Sequence, residues 1–133
     1  MGERMNDKFG LAGRVVAVIG AGSGIGEAVA RACAQQGASV ACLDIKGNEA
    51  ERVADSIREA HREAYGDTLD IVDGAATQAA LDAVKQRLGR LDAVVCTPSI
   101  NVRKPILQYT EEELDRIITW MLKRWARLPT AAK

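Results

Sequence analysis

The residues best suited to chemistry in this chain are four glycines at positions 20, 22, 24 and 26, here called the glycine loop (residues 20–26). An apolar run ends at Gly20 and a helical pattern follows, so the loop predicts a tight turn from a strand into a helix. Backbone N–H groups at such a helix start can approach a pyrophosphate. The alternative is a turn without a ligand, for which so many flexible glycines would be wasteful. We therefore predict a dinucleotide-binding loop.

The spacing of these glycines narrows the type of dinucleotide site. The pattern G-x-G-x-x-G fails from every glycine of the loop, whereas G-x-x-x-G-x-G fits Gly20, Gly24 and Gly26. Gly20 would permit the sharp exit from the strand, and the other two would let the helix N-terminus face the phosphates. The cofactor contacts expected in the loop are Gly20, Gly22, Ser23, Gly24, Ile25 and Gly26.

Asp44 ends the next apolar run, 18 residues after Gly26. An acidic side chain at this place can accept hydrogen bonds from the adenosine ribose and would repel a 2′-phosphate. Neither Ala21 nor Ile45 supplies a positive charge for that phosphate, although Lys46 could reach it. Asp44 therefore favours NAD over NADP as the cofactor. The alternative is a solvated loop aspartate.

The remaining reactive residue types do not form a catalytic or metal-binding pattern. His61 is the only histidine, and we expect it on a solvated face at the far end of the second predicted helix. Cys33, Cys42 and Cys96 are far apart and form no Cys-x-x-Cys pair, so we predict no metal site. We expect reduced thiols in a cytoplasmic protein. No activating base is evident for Cys96, so we interpret it as a buried apolar thiol.

Composition limits the class of protein. The 133 residues are 47% hydrophobic with a formal net charge of +0, which predicts one folded domain over 1–133. No basic block indicates nucleic-acid binding, and no amphipathic basic helix indicates a membrane surface. No apolar run reaches membrane-spanning length, and the charged N-terminus lacks the apolar stretch of a signal peptide.

Short apolar segments alternate with helical patterns along the chain. We predict strands at about residues 15–19, 39–43, 63–69 and 93–96. Helices are predicted over 24–36, from Asn48 onwards, over 74–88 and over 110–128. Such alternation is typical of β-α-β units with right-handed crossovers, so we predict a three-layer α/β sandwich with a parallel sheet.

Helix ends carry recognisable signals. Gly37 and Gly89 follow the first and third helices as C-terminal caps. Asn48 with Glu51, and Thr110 with Glu113, have the spacing of a capping box. Pro129 is expected to end the last helix.

Helical spacing also predicts which faces are buried. The expected buried face of the first helix is Ile25, Ala28, Val29, Ala32 and Cys33. That of the second helix is Ala50, Val53, Ala54, Ile57 and Ala60. The last helix has the strongest apolar stripe: Leu114, Ile117, Ile118, Met121, Leu122 and Trp125.

With the glycine loop and Asp44 in place, the sequence resembles the classical short-chain dehydrogenase/reductase family over about residues 8–124. Asp70-Ile71 is similar to the family's Asp-Val pair, which contacts adenine; a helix cap or loop residue is the alternative for Asp70. Residues 91–95 resemble the family's fourth strand, and 101–105 and 109–113 resemble the loop and helix start that follow. The resemblance implies a Rossmann-like, doubly wound sheet, of which this chain supplies four strands in the order 3-2-1-4.

The sequence departs from the family pattern in the first strand, after the fourth strand and in the last helix. Ile19 replaces the threonine of the family's Thr-Gly opening. Cys96-Thr97-Pro98-Ser99 replaces Asn-Asn-Ala-Gly, which supports the sheet and borders the nicotinamide ribose. Met121 replaces an asparagine that supports a proton relay, and we expect Met121 to pack in the core.

The family's catalytic Ser, Tyr and Lys have no counterparts in this sequence. The lysine should follow the tyrosine by four residues, but Leu69 follows Tyr65 and Glu113 follows Tyr109 at that distance. We therefore assign no catalytic residue. Residues 124–133 match nothing expected of the family, and the resemblance implies a C-terminally truncated member that lacks the catalytic half.

The resemblance implies a parent activity of NAD(P)-dependent hydride transfer between alcohols and carbonyls, with this chain expected to be inactive by itself. The alternative is a non-enzymatic nucleotide-binding or subunit-interaction module, and S-adenosylmethionine is a weaker candidate ligand. A sheet of four strands would leave an open edge and an uncovered last helix. We therefore expect a homo-oligomer formed through that edge or through the 110–128 helix.

Overall fold

The computed structural model describes residues 9–99 and 103–131, with side chains of the last helix described as far as Leu122. The strands are β1 (Val15–Ile19), β2 (Ser39–Asp44), β3 (Ala64–Thr68) and β4 (Ala93–Cys96). The helices are α1 (Gly24–Gln35), α2 (Gly47–Glu59), α3 (Gly74–Leu88) and α4 (Glu111–Ala131). A 3₁₀ helix, Ile106–Gln108, lies between β4 and α4.

The four strands form one parallel sheet in the order β3-β2-β1-β4, which confirms the predicted order. Ala17 of β1 is in register with Ala41 of β2 and with Val94 of β4, and Ala41 is in register with Tyr65 of β3. β1 is buried along its whole length, because a parallel sheet carries helices on both faces.

The two faces of the sheet are packed by different helices, so the predicted three-layer arrangement is present. On one face, Val16 and Val18 join a buried cluster with Ala30 of α1 and Val53 of α2. On the other face, residues of β1 join a buried cluster with Leu81 and Val84 of α3, and Trp120 of α4 packs against that cluster.

Helix α1 buries a different face from the predicted one. Gly26, Ala30 and Ala34 are its buried residues. The predicted Ile25, Ala28 and Ala32 are exposed, and Val29 and Cys33 are only partly buried. Small residues let the helix lie close to the sheet, and the larger Ile25 is left at the helix start with 76% of its surface exposed.

Helix α2 begins one residue before the predicted start and without the predicted cap. Lys46 occupies the N-cap position, and no side chain caps the helix. Glu51 instead accepts a hydrogen bond from the Gly66 N–H at 2.9 Å and pairs with Arg58 at 2.5 Å. The predicted capping box at Asn48 is therefore wrong, because β3 and Arg58 use the glutamate. The predicted buried face is present except for Ala60, which is exposed at the C-cap position.

Three residues that follow helices have a left-handed backbone, and two of them are the glycines predicted as caps. Gly37 has φ +98° and Gly89 has φ +84°, as expected of caps after α1 and α3. His61, with φ +59°, takes the equivalent place after α2 and is exposed. Its solvated position was predicted, although its backbone conformation was not.

Helix α4 starts as predicted and ends differently. The Thr110 N–H donates to Glu113 Oε2 at 3.0 Å, and the Glu113 N–H donates to Thr110 Oγ1 at 3.2 Å, which confirms the capping box. The helix continues through Pro129 to Ala131, so the predicted stop is wrong. Pro129 lies in the last turn of the helix, where its missing N–H and its ring disturb the helical hydrogen bonding only near the end.

The apolar stripe of α4 is largely uncovered. Leu114, Ile118, Met121 and Leu122 are between 43% and 65% exposed, so the predicted core position of Met121 is wrong. Trp120, which lay outside the predicted stripe, is the residue that packs against the sheet cluster. Ile117 is partly buried, and the side chain of Trp125 lies outside the described residues. Because the large indole of Trp120 packs against the sheet, the next residue, Met121, faces outward.

Asp92 links the starts of β1 and β4 and gives the fold a pH dependence. Its carboxylate accepts hydrogen bonds from Arg90 Nε and from the Val15 N–H, both at 2.8 Å. Arg90 first, and then the Val15 N–H, lower the pKa of Asp92 from 3.8 to about 2. The ionised form therefore stabilises the folded chain at neutral pH, and this stabilisation is lost as the pH falls from about 4 to below 2.

We predict that Asp92→Asn lowers the free energy of unfolding at pH 7, because asparagine cannot provide the negative charge that Arg90 contacts. The difference from the wild-type chain should shrink as the pH falls below 4 and vanish only below pH 2. Urea unfolding followed by circular dichroism across this range measures it. A difference that stays constant with pH would contradict this account of Asp92.

Candidate functional site

The carboxyl ends of the four strands open onto a cleft of about 560 Å³. It lies at the edge of the sheet where open α/β proteins bind ligands. Most of the residues predicted as cofactor contacts line it: Gly20, Ser23, Ile25, Gly26, Asp44, Asp70 and Ile71. Gly22 and Gly24 belong to the glycine loop but not to the cleft wall. The structure thus brings together residues at or after the ends of three different strands.

Hydrogen bonds to β2 hold the glycine loop in place. The N–H groups of Gly20 and Ala21 both donate to the carbonyl of Leu43, at 2.7 and 3.1 Å. Gly20 has φ +87°, and this left-handed conformation turns the chain sharply out of β1. The exit of the chain from β1 is therefore fixed against the neighbouring strand.

Gly26 allows helix α1 to start close to the end of β1. A Cβ atom at this position would overlap the Gly20 carbonyl oxygen and lie 2.9 Å from Thr97 Oγ1. Gly24 differs, because a Cβ there would meet open space, while its φ of +56° still favours glycine. Gly26 is thus required for close packing, whereas Gly24 is favoured by its backbone conformation.

The first turn of α1 is suited to an anion. The Ser23 side chain, at the N-cap, makes no capping hydrogen bond. The first N–H groups of any α-helix lack intrahelical partners, and the helix dipole makes that end positive. Since Ser23, Ile25 and Gly26 line the cleft and the space beside Gly24 is open, a pyrophosphate would fit at this helix start.

Asp44 is an ordered carboxylate at the end of β2. Oδ2 accepts a hydrogen bond from the Gly22 N–H and Oδ1 accepts one from the Lys46 N–H, both at 2.9 Å. Each carboxylate oxygen has a second lone pair that can accept a ribose hydroxyl. These contacts and its half-buried position disagree with a solvated loop aspartate.

Asp70 and Ile71 lie at the far end of the cleft, after β3. The exposed Asp70 shapes a turn, because its Oδ1 accepts a hydrogen bond from the Val72 N–H at 3.0 Å. The cap of α3 is instead Asp73, which accepts from the Ala76 N–H at 3.0 Å. Ile71 is buried and supplies an apolar wall. Asp70 is therefore both a loop-shaping residue and part of the cleft.

The opposite wall contains Thr97, Pro98 and Trp120. None of the three was predicted as a cofactor contact, although Thr97 and Pro98 replace family residues that border the nicotinamide ribose. The Thr97 hydroxyl donates to the Ile19 carbonyl at 3.1 Å, and the Pro98 ring lies against Gly20. Thr97 could have been found from the rule that parallel strands end at one edge. Trp120 carried no such signal, because it lies outside the apolar stripe of its helix.

Other reactive groups lie apart from the cleft. Cys42 is in the core, where burial raises the pKa of its thiol to about 12. Cys96 is partly buried against the sheet cluster at the end of β4.

Among the described residues, no group of three or more His, Cys, Asp or Glu side chains could hold a metal ion. The same part of the chain contains no helix with the length and apolarity needed to cross a membrane.

Comparison with known proteins decides the family. The family model described as short chain dehydrogenase matches residues 14–128. The chain belongs to the short-chain dehydrogenase/reductase family. Membership of this oxidoreductase family implies NAD or NADP as the cofactor, and the parallel sheet in the order 3-2-1-4 is the Rossmann-like fold expected of it.

Relatives and solved structures of this family match most of the chain. D-threitol dehydrogenase of Mycolicibacterium smegmatis is 38% identical over 80% of this chain and 41% of its own length. A short chain dehydrogenase from Mycobacterium avium superposes with a TM-score of 0.82 at 33% identity, over 92% of this chain and 47% of that one. A hydroxysteroid dehydrogenase from Escherichia coli gives a TM-score of 0.86 at 27% identity, over 96% and 54%. The chain therefore spans about two fifths of the length of the first of these relatives.

We predict that Gly26→Ala and Gly24→Ala have unequal costs. The added methyl group at position 26 would overlap the Gly20 carbonyl, which should lower the free energy of unfolding by about 3 kcal/mol. At position 24 only the left-handed backbone opposes alanine, at about 1 kcal/mol. Urea unfolding of both variants measures the difference. Equal losses would show that α1 does not pack on β1 as described.

Proposed function

We propose that the chain binds NAD in the cleft and forms the dinucleotide-binding part, in a single domain over 1–133, of an alcohol–carbonyl oxidoreductase. The observation that carries this proposal is the meeting of the α1 N-terminus, with its glycine loop, and the Asp44 carboxylate in one cleft. The first would hold a pyrophosphate and the second an adenosine ribose. When bound, the nicotinamide would supply or accept the hydride.

Each predicted contact has a place in this arrangement. Gly20 and residues 22–26 would surround the pyrophosphate, Asp44 would accept hydrogen bonds from the ribose, and Asp70 and Ile71 would border the adenine. The Asp44 carboxylate would repel a 2′-phosphate, which supports NAD rather than NADP. Reduced thiols, with Cys42 in the core, fit a cytoplasmic location.

We further propose that this chain alone does not catalyse turnover. General acid–base catalysis needs a group beside the substrate with a suitable pKa. Tyr65 is buried, its ring lies 3.7 Å from the Arg87 guanidinium carbon, and burial raises its pKa. Neither it nor Tyr109 has the lysine that the family places four residues later. The alternative is a non-enzymatic nucleotide-binding or subunit-interaction module.

Exposed apolar surface supports self-association as a further part of the proposal. Within the described residues, β4 pairs with β1 alone, and its other edge has no partner strand. Four residues of the α4 stripe are exposed: Leu114, Ile118, Met121 and Leu122. Contact between two copies through the β4 edge or through α4 would cover this surface.

We predict that light scattering at micromolar concentration gives a mass greater than that of the monomer. A stable monomer at this concentration would contradict the proposed self-association.

We predict that isothermal titration calorimetry detects binding of NAD⁺ about tenfold tighter than of NADP⁺, because Asp44 repels the extra phosphate. Asp44→Ala should reduce this preference, and Gly24→Asp should abolish binding by placing a carboxylate beside the pyrophosphate. Absence of binding to either cofactor would overturn the proposal. Binding of S-adenosylmethionine instead would identify another adenosine ligand.

The same preparation should show no turnover of mixed alcohols and ketones. Turnover that Gly24→Asp removes would disprove the proposed inactivity while supporting the cofactor site.

A further inference from the structure

Gly22 is the point at which the glycine loop rests on its neighbours. A Cβ atom on this buried residue would lie 2.9 Å from Asp44 Oδ2 and 2.9 Å from the Cβ of Glu49. Its N–H donates to Asp44. The loop is therefore pressed against both the end of β2 and the first turn of α2, and a small displacement of either would move it.

The carbonyl of Gly22 is held by Arg52, which lies in the middle of α2. Arg52 Nη2 donates to the Gly22 oxygen at 3.1 Å and to Glu27 Oε2 at 3.0 Å. Arg52 Nε donates to Glu49 Oε2 at 2.8 Å. One guanidinium therefore joins the glycine loop, the first turn of α1 and the first turn of α2. Its planar set of five donors suits such a junction, which a lysine ammonium would form less well.

Glu27 poses an electrostatic problem for an anion at the start of α1. It is the acidic residue of the first turn of this helix. Hydrogen bonds from Arg52, and then from Arg31, lower its pKa from 4.5 to about 2, so its carboxylate is ionised at neutral pH. A negative charge one helical turn from a bound phosphate would repel that phosphate. Arg31, at 2.8 Å, and Arg52, at 3.0 Å, offset this charge.

We propose that Arg52 is a positioning residue for phosphate binding at the glycine loop. It does not line the cleft, and it acts through two other groups. It fixes the Gly22 carbonyl, which holds the loop in the observed shape, and it offsets the charge of Glu27 beside the helix start. This inference rests on the proposed dinucleotide function and extends it to a residue of the neighbouring helix.

Arg58 provides a matched control on the same helix. Like Arg52, it contacts two carboxylates, those of Glu51 and Asp55, and it donates to a backbone carbonyl, that of Ala64, at 2.8 Å. The side chains of Arg52 and Arg58 are 49% and 38% exposed. Arg58 contacts β3 and not the glycine loop, so its loss should affect stability without affecting phosphate binding.

The test is calorimetric titration of the full chain with NAD⁺, ADP and adenosine. Arg52→Met keeps the apolar stem of the side chain and removes its donors. We expect the Kd for NAD⁺ and for ADP to rise about tenfold, and the Kd for adenosine, which has no phosphate, to stay the same. Arg58→Met should leave all three values unchanged. A general structural effect of Arg52 would weaken adenosine as much as ADP.

Two further variants separate the parts of the proposed role. Adding Glu27→Gln to Arg52→Met should recover part of the lost ADP affinity, because it removes the charge that Arg52 had offset. Arg52→Lys keeps the charge and should raise the Kd for ADP less than Arg52→Met does. It replaces the methionine variant in the test if circular dichroism shows that the methionine variant does not fold.

The outcomes distinguish this inference from the function on which it rests. A wild-type chain that binds neither NAD⁺ nor ADP overturns both. A wild-type chain that binds them, together with Arg52 variants of unchanged affinity, or with equal losses for ADP and adenosine, overturns the positioning role alone.

Discussion

The close approach of helix α1 to the Gly20 carbonyl is the contact on which the site depends. A Cβ atom at Gly26 would overlap that oxygen, so the helix can start where it does only because this residue is glycine. The position of the helix start then determines where its free N–H groups and its positive dipole end lie relative to the sheet. The hydrogen bonds from the loop to Leu43 fix the same geometry from the side of β2, and the cleft forms between these two anchored segments.

The sequence predicted those features that follow from local chemistry or from general rules of parallel sheets. The bounds of β1, β4 and α3 agree with the pattern, as do the capping box of α4 and the glycine caps. The strand order came from the family resemblance. Because the carboxyl ends of parallel strands lie at one edge of a sheet, most of the cofactor contacts predicted after separate strands lie along one cleft in the structure.

Features that depend on tertiary contacts could not be predicted in this way. Glu51 has the spacing of a capping residue, but β3 offers it the Gly66 N–H, and the helix begins without it. The buried face of α1 was predicted from the helical spacing of its apolar residues, yet close packing on the sheet buries Gly26, Ala30 and Ala34 instead. Trp120 and Arg52 contribute to the site through contacts with residues far away in the sequence. Hydrophobic periodicity within one helix cannot predict such contacts.

Because Trp120 lines the cleft, the cleft wall includes residues from the first strand, where it begins at Ile19, and from the last helix. A molecule seated there would touch segments from both ends of the described chain, so its binding energy would add to the stability of the whole folded unit rather than of one segment. Movement of α4 away from the sheet would then weaken binding of that molecule. By mass action, binding of the molecule would in turn oppose this movement.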